Sequence, residues 1–137
     1  MYTAEHGLTC LAEVFQDTRL IDRAARDPWL VAFELRHEVR LLDLTGSWPT
    51  RIGASMAISS GPRPRAQRWS RAIYGAYPAV QGILYPASMH GNRPAVALYE
   101  RAAPALPRSP AFHRPLLDPV LLPVLAQAAH DLGYGLA

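Results

Sequence analysis

The stretch GILYPASMHGNRPAVALYERA, residues 82–102, decides how the rest of the chain is read. β-branched and aromatic residues flank a cluster of Pro, Ser, Gly and Asn, so it divides into a buried strand (Gly82–Tyr85), a polar loop (Pro86–Pro94) and a second strand (Ala95–Tyr99). The loop carries Ser88, His90, Asn92 and Arg93 between apolar strands. Loops held by rigid elements often present binding residues, although a polar hairpin loop that simply faces water has the same pattern.

Upstream, Arg65 to Tyr77 reads as a helix, with Trp69, Ala72, Ile73 and Ala76 at i, i+3, i+4 and i+7 and Arg65, Arg68 and Arg71 on its flanks. Pro78 closes it and leads into the Gly82 strand, the order of a mixed α/β domain. Gly46 to Pro64 is mostly loop, with a short helix expected through Ile52–Ile58. VAFEL and VRLLDL alternate as strands joined by the charged Arg36–Glu38 turn. Asp22–Asp27 is polar and helix-compatible. At the start, Met1–Ala4 reads as a strand, and Leu8, Leu11, Ala12 and Phe15 form one stripe of a helix on which Glu13 lies off the stripe with Thr9 and Gln16. Taken alone, such a glutamate is a solvated residue. After Arg101 comes a proline-rich connector, then Asp118-Pro119 as a helix start or, because Pro123 falls inside the pattern, a start only at Pro123, with Leu121, Val124, Leu125, Ala128 and Leu132 marking the face that runs to Gly133. Leu11, Phe15, Phe33, Leu41, Ile73, Ile83, Leu98 and Leu125 are the expected core.

The 137 residues suit one domain that needs no disulfide or metal to hold its core. No apolar run approaches the ~20 residues of a membrane span, and MYTAEHGLTC lacks the basic and apolar regions of a signal peptide, so the cytoplasm is expected. Cys10 is the single cysteine, and no Cys/His spacing resembles a zinc site. The net charge of +3 is too small to argue for nucleic acid. Its distribution is more telling. Every basic residue is arginine, and between Asp43 and Glu100 no acidic residue balances Arg51, Arg63, Arg65, Arg68, Arg71 and Arg93. That positive middle suits a small anion such as a nucleotide pyrophosphate, or else a solvated basic face.

TAEHGLTCLAEVF, the Trp69 helix and GILYPASMHGNRPAVALYERA together closely resemble the RES domain family of bacterial proteins. The resemblance is strongest over residues 2–103, leaving 104–137 as proline-rich connector and C-terminal helix of the same single domain. It implies a mixed α+β, split-sheet fold similar to the ADP-ribosyltransferase-like fold, here without the family's N-terminal segment. It also implies a toxin of a toxin–antitoxin pair that destroys NAD by hydrolysis or phosphorolysis of the nicotinamide–ribose bond. NAD would be the substrate, with no further cofactor, and the partner a helix-turn-helix antitoxin. Membranes and direct nucleic-acid binding are not expected, and homodimerisation is left open.

Residue by residue, the resemblance matches the family glutamate to Glu13, its strand tyrosine to Tyr2 and its loop serine to Ser88. Glu13 would stabilise positive charge on the ribose, Ser88 would orient the nicotinamide or its ribose, and Tyr2 would stack. The family arginine lies upstream of the tyrosine strand, so Arg51, Arg65 or Arg68 would have to replace it at the pyrophosphate. Many members carry serine where this chain has Ala87, so Ser88 matches with a shift of one residue. An alternative follows from these departures: a catalytically inactive RES domain that serves as an interaction module for an antitoxin.

Overall fold

The structure, a computed structural model, describes residues 1–54 and 63–137. Its centre is a four-stranded sheet in the order β1-β6-β5-β4, built from β1 (Tyr2–Ala4), β4 (Leu41–Asp43), β5 (Gly82–Ala87) and β6 (Arg93–Leu98). β5 and β6 form the expected hairpin, and β1 pairs antiparallel with β6 while β4 runs parallel to β5. Two small sheets stand apart: β2 (Leu20–Ile21) parallel with β8 (Gly135–Leu136), and β3 (Trp29–Ala32) antiparallel with β7 (Phe112–Pro115). The architecture is thus mixed α+β with a split sheet.

The helices are α1 (Gly7–Val14), α2 (Trp48–Arg51), α3 (Arg63–Ala76) and α4 (Leu122–Leu132), with 3-10 turns at Glu100–Ala105 and Pro119–Leu121. They build two cores. Leu11 of α1 meets Ile21, Leu116, Leu121, Leu125, Ala128 and Ala129, joining the first and last helices. Ile73 of α3 meets Ile83 and Leu44, with Trp69, Tyr85 and Tyr99 packed around them. Arg101 fastens α3 to the sheet: its guanidinium lies 3.5 Å from the centre of the Tyr74 ring and donates to the carbonyls of Tyr74, Tyr77 and Val80. These include carbonyls that the end of α3 leaves without helical partners. At the other end of the molecule, Asp118 accepts from the Val120 amide as a cap, and Gly133 closes α4 in the left-handed conformation.

Several expectations change in detail. The polar loop shrinks to Ser88–Asn92, because Pro86, Ala87, Arg93 and Pro94 enter the β5–β6 ladder. DRAARD is not helical. The Asp22 carboxylate accepts from the amides of Ala24 and Ala25, which favours a turn, and Arg26 and Asp27 take positive φ. Of VAFEL and VRLLDL only Val31–Ala32 and Leu41–Asp43 are strand, and they lie in different sheets; between them the Arg36 amide donates to the Ala105 carbonyl. The proline-rich connector contains strand β7, which pairs with β3. Val124 is exposed, and Ala129 takes the buried place on α4. Ala72 and Ala76 are likewise exposed, which leaves Trp69 and Ile73 to hold α3. The helix expected through Ile52–Ile58 lies mostly outside the described residues. Of the expected core, Leu11, Ile73, Ile83, Leu98 and Leu125 are buried, and Phe15, Phe33 and Leu41 are half-buried.

Gly82 is where β5 is squeezed between its neighbours. A Cβ there would lie 2.7 Å from the Ala97 carbonyl oxygen and 2.8 Å from Leu41 Cδ2, and a backbone oxygen cannot step aside as a flexible side chain can. Around Gly75, on α3, nothing lies within 4 Å of such a Cβ. Alanine should therefore act with opposite signs at the two positions. Gly82→Ala is expected to destabilise by about 1–3 kcal/mol through overpacking, and Gly75→Ala to stabilise by about 0.5–1 kcal/mol, both read from urea unfolding midpoints.

Candidate active site

Helix α1 carries the candidate glutamate, and its surroundings differ from the surface position that the apolar stripe alone suggests. The stripe Leu8, Leu11 and Phe15 packs into the α4 core. The side bearing Thr9 and Glu13 is covered as well: Thr9 is 0% exposed, and Glu13, one turn further on, is half-buried with a buried carboxylate oxygen. The helix is therefore sandwiched, with its polar positions turned into the protein.

The sheet supplies the other wall. Paired residues share a face and alternate along each strand, so the registers Tyr2↔Ala97↔Ile83 and Ala4↔Ala95↔Tyr85 place Tyr2 and Tyr85 on one face in neighbouring rows. Small residues separate them. Tyr85 packs into the core that holds Ile73 and Trp69 of α3, while Tyr2, on edge strand β1, is 72% exposed. Burial pushes the Tyr85 phenol far above the ordinary tyrosine range, and the negative charge of Glu13 raises it further, with smaller effects from Tyr2 and Cys10. Burial also raises the Cys10 thiol; a backbone hydrogen bond at Ala4 opposes the rise and Glu13 adds to it. Tyr85 thus lies within electrostatic reach of Glu13, Tyr2 and Cys10, and Cys10 within reach of Glu13.

Ser88 opens the turn that links β5 to β6 and is exposed, whereas the Ala87 side chain is 0% exposed. Ala87, two residues beyond Tyr85 on β5, shares that tyrosine's face of the sheet, while Ser88 lies just past the strand. The turn is fastened to α1 through Thr9 Oγ1, 2.9 Å from His90 Nδ1. The three candidate arginines separate. Arg65 and Arg68 are exposed on α3 and, with Trp69 and Ala72, line an open groove of about 340 Å³. Those four positions fall at i, i+3, i+4 and i+7, one side of the helix. Trp69 belongs both to this groove and to the core that contains Tyr85. Arg51 ends α2, is exposed, and is not among the residues that line the groove.

The structure therefore gathers Tyr2 and Glu13 with Tyr85 and Cys10, joins the Ser88 turn to α1, and sets Arg65 and Arg68 along a groove of their own. Thr9, Cys10 and Tyr85 are absent from the set that sequence reasoning selects, and His90 enters only as one polar residue of the loop. For Thr9 a signal existed, since it stands one helical turn before Glu13, but only the fold shows that this side of α1 is enclosed.

The profile of the RES domain family matches residues 1–119. The chain belongs to the RES domain family. The match spans β1, α1, the four-stranded sheet and β7, and so every element that carries a candidate site residue in this RES domain. Neither the curated proteins nor the solved structures yield a significant match. Among its described residues, no helix is long and apolar enough to cross a membrane.

The raised phenols make a pH prediction. A folded-state pKa above the unfolded value of about 10 leaves its contribution to stability intact below that pH and removes it as pH climbs toward the folded value. Tyr85, Tyr99 and Tyr134 all shift in this direction, chiefly through burial. The urea midpoint of the wild type should fall between about pH 9 and pH 11, and that of Tyr85→Phe should fall less; equal slopes would contradict the assigned burial of the Tyr85 hydroxyl.

Proposed function

We propose that this RES domain breaks the nicotinamide–ribose bond of NAD, by hydrolysis or phosphorolysis, as the toxin of a toxin–antitoxin pair. The observation that carries the reading is the position of Glu13: a half-buried carboxylate within electrostatic reach of a sheet face that bears Tyr85 and Tyr2. Withdrawal from water strengthens the field of that carboxylate on a neighbouring positive charge.

The chemistry needs such a charge. As the C1′–N bond breaks, its electron pair moves to the nicotinamide nitrogen, and positive charge builds on the ribose. Glu13 stabilises that charge and accepts from a ribose hydroxyl, as carboxylates do in glycoside cleavage. Tyr2 stacks, and Ser88 orients the departing nicotinamide or its ribose. Arg65 and Arg68 pair with the pyrophosphate, where forked guanidinium groups suit its oxygens, and Arg51 is the third arginine available to it. An oxygen of water or phosphate then bonds to C1′, and a water nucleophile releases its proton to solvent.

The test is NAD consumption by the purified chain, with phosphate present and absent. Glu13→Gln should slow it by about 10²-fold or more, the scale of losing one electrostatic stabiliser. Unchanged turnover in that variant would reject the reading. A second reading, an inactive interaction module for a helix-turn-helix antitoxin, is favoured by the exposed Leu117, Val120, Leu122 and Val124. Copurification with such a protein and no NAD loss would select it.

A further inference from the structure

Residues Ser88–Asn92 form a tight turn whose backbone bonds are largely its own. The amides of His90 and Asn92 both donate to the Ala87 carbonyl, at 3.2 and 3.0 Å, and the Arg93 amide donates to His90 at 3.1 Å. Gly91 and Asn92 take positive φ, which closes the turn in few residues. These bonds set its shape. They do not set where it sits relative to α1. That placement is served by a side-chain bond spanning 81 positions, Thr9 Oγ1 to His90 Nδ1 at 2.9 Å. One end of it is immobile by construction, because Thr9 is 0% exposed on a helix enclosed on two sides.

We infer that the Thr9–His90 hydrogen bond is a positioning device that holds Ser88 in register with Glu13, and that both residues are positioning residues for the reaction. The inference rests on the proposed NAD chemistry for its effect on rate, and on geometry alone for the tie. Thr9 and Glu13 are one turn apart on a rigid helix, and His90 and Ser88 are two residues apart in one turn. A bond between one member of each pair therefore limits how far Ser88 can shift relative to Glu13. Displacement of an orienting group by about 1 Å can cost up to about 10²-fold in rate.

Four variants test this. Thr9→Val and His90→Phe keep shape and remove the bond. Thr9→Ser and His90→Asn retain a hydroxyl and a side-chain amide able to remake it. Each of the first pair should lower kcat for NAD cleavage about tenfold with KM changed by less than about twofold, the split expected when the transition state loses alignment. The Thr9→Val/His90→Phe double variant should be no slower than the worse single variant, and the second pair should recover most of the rate. Independently of turnover, backbone amide exchange at Asn92 and Arg93 should rise several-fold in Thr9→Val and return toward wild type in Thr9→Ser. Unchanged exchange, or rate losses that multiply in the double variant, would overturn the tie. A wild-type chain that leaves NAD intact would reject the proposed function, while the exchange data would still decide whether the tie holds the turn.

Discussion

Enclosure of α1 on two sides is the constraint from which the rest of the arrangement follows. A helix with one covered face needs only an apolar stripe. Here Leu8, Leu11 and Phe15 hold one side against α4, while Thr9 and Glu13 turn into the protein on another. Close approach requires small neighbours, and Ala12 and Ala95 are almost completely buried. A carboxylate in such a place is held in one setting, with less water to screen it. That is a poor choice for stability and a good one for acting on a charge that forms nearby.

Arginine does several separate jobs in this chain. Arg101 is committed to the end of α3, stacked on Tyr74 and bonded to backbone carbonyls. Arg114 pairs with Asp118 at 2.6 Å, four residues on, beside the start of α4. Arg65 and Arg68 face an open groove next to Trp69. The arginines are therefore divided between cations that fasten elements together, which lie after Glu100, and cations turned outward along one helix in the positive middle, and a tally of charge would treat them alike.

Much of the fold was legible because the residues that form it speak locally. The β5–β6 hairpin follows from its β-branched strands and turn cluster, α3 from Trp69 and Ile73, and the capped 3-10 turn that leads into α4 from Asp118-Pro119. What escaped depended on partners distant in sequence. Phe112–Pro115 looked like connector because its strand character comes from pairing with Trp29–Ala32. VAFEL and VRLLDL looked like neighbours because nothing local reveals that each strand joins another sheet. Among the candidate residues, Glu13 and Tyr2 rest on a family pattern, whereas Thr9 and His90 form a contact between two segments whose local sequence gives no hint of the other.

The pairing of β1 with β6 sets Tyr2 against Ala97, so one wall of the site joins residues from nearly opposite ends of the family-matched region. Closing so long a span costs chain entropy before any contact offsets it, and such pairings form slowly. During synthesis, the helix that bears Glu13 emerges long before the strand it must face. A growing chain holds Glu13 and Tyr2 early, yet the edge strand that bears Tyr2 has nothing to pair with until β6 has left the ribosome.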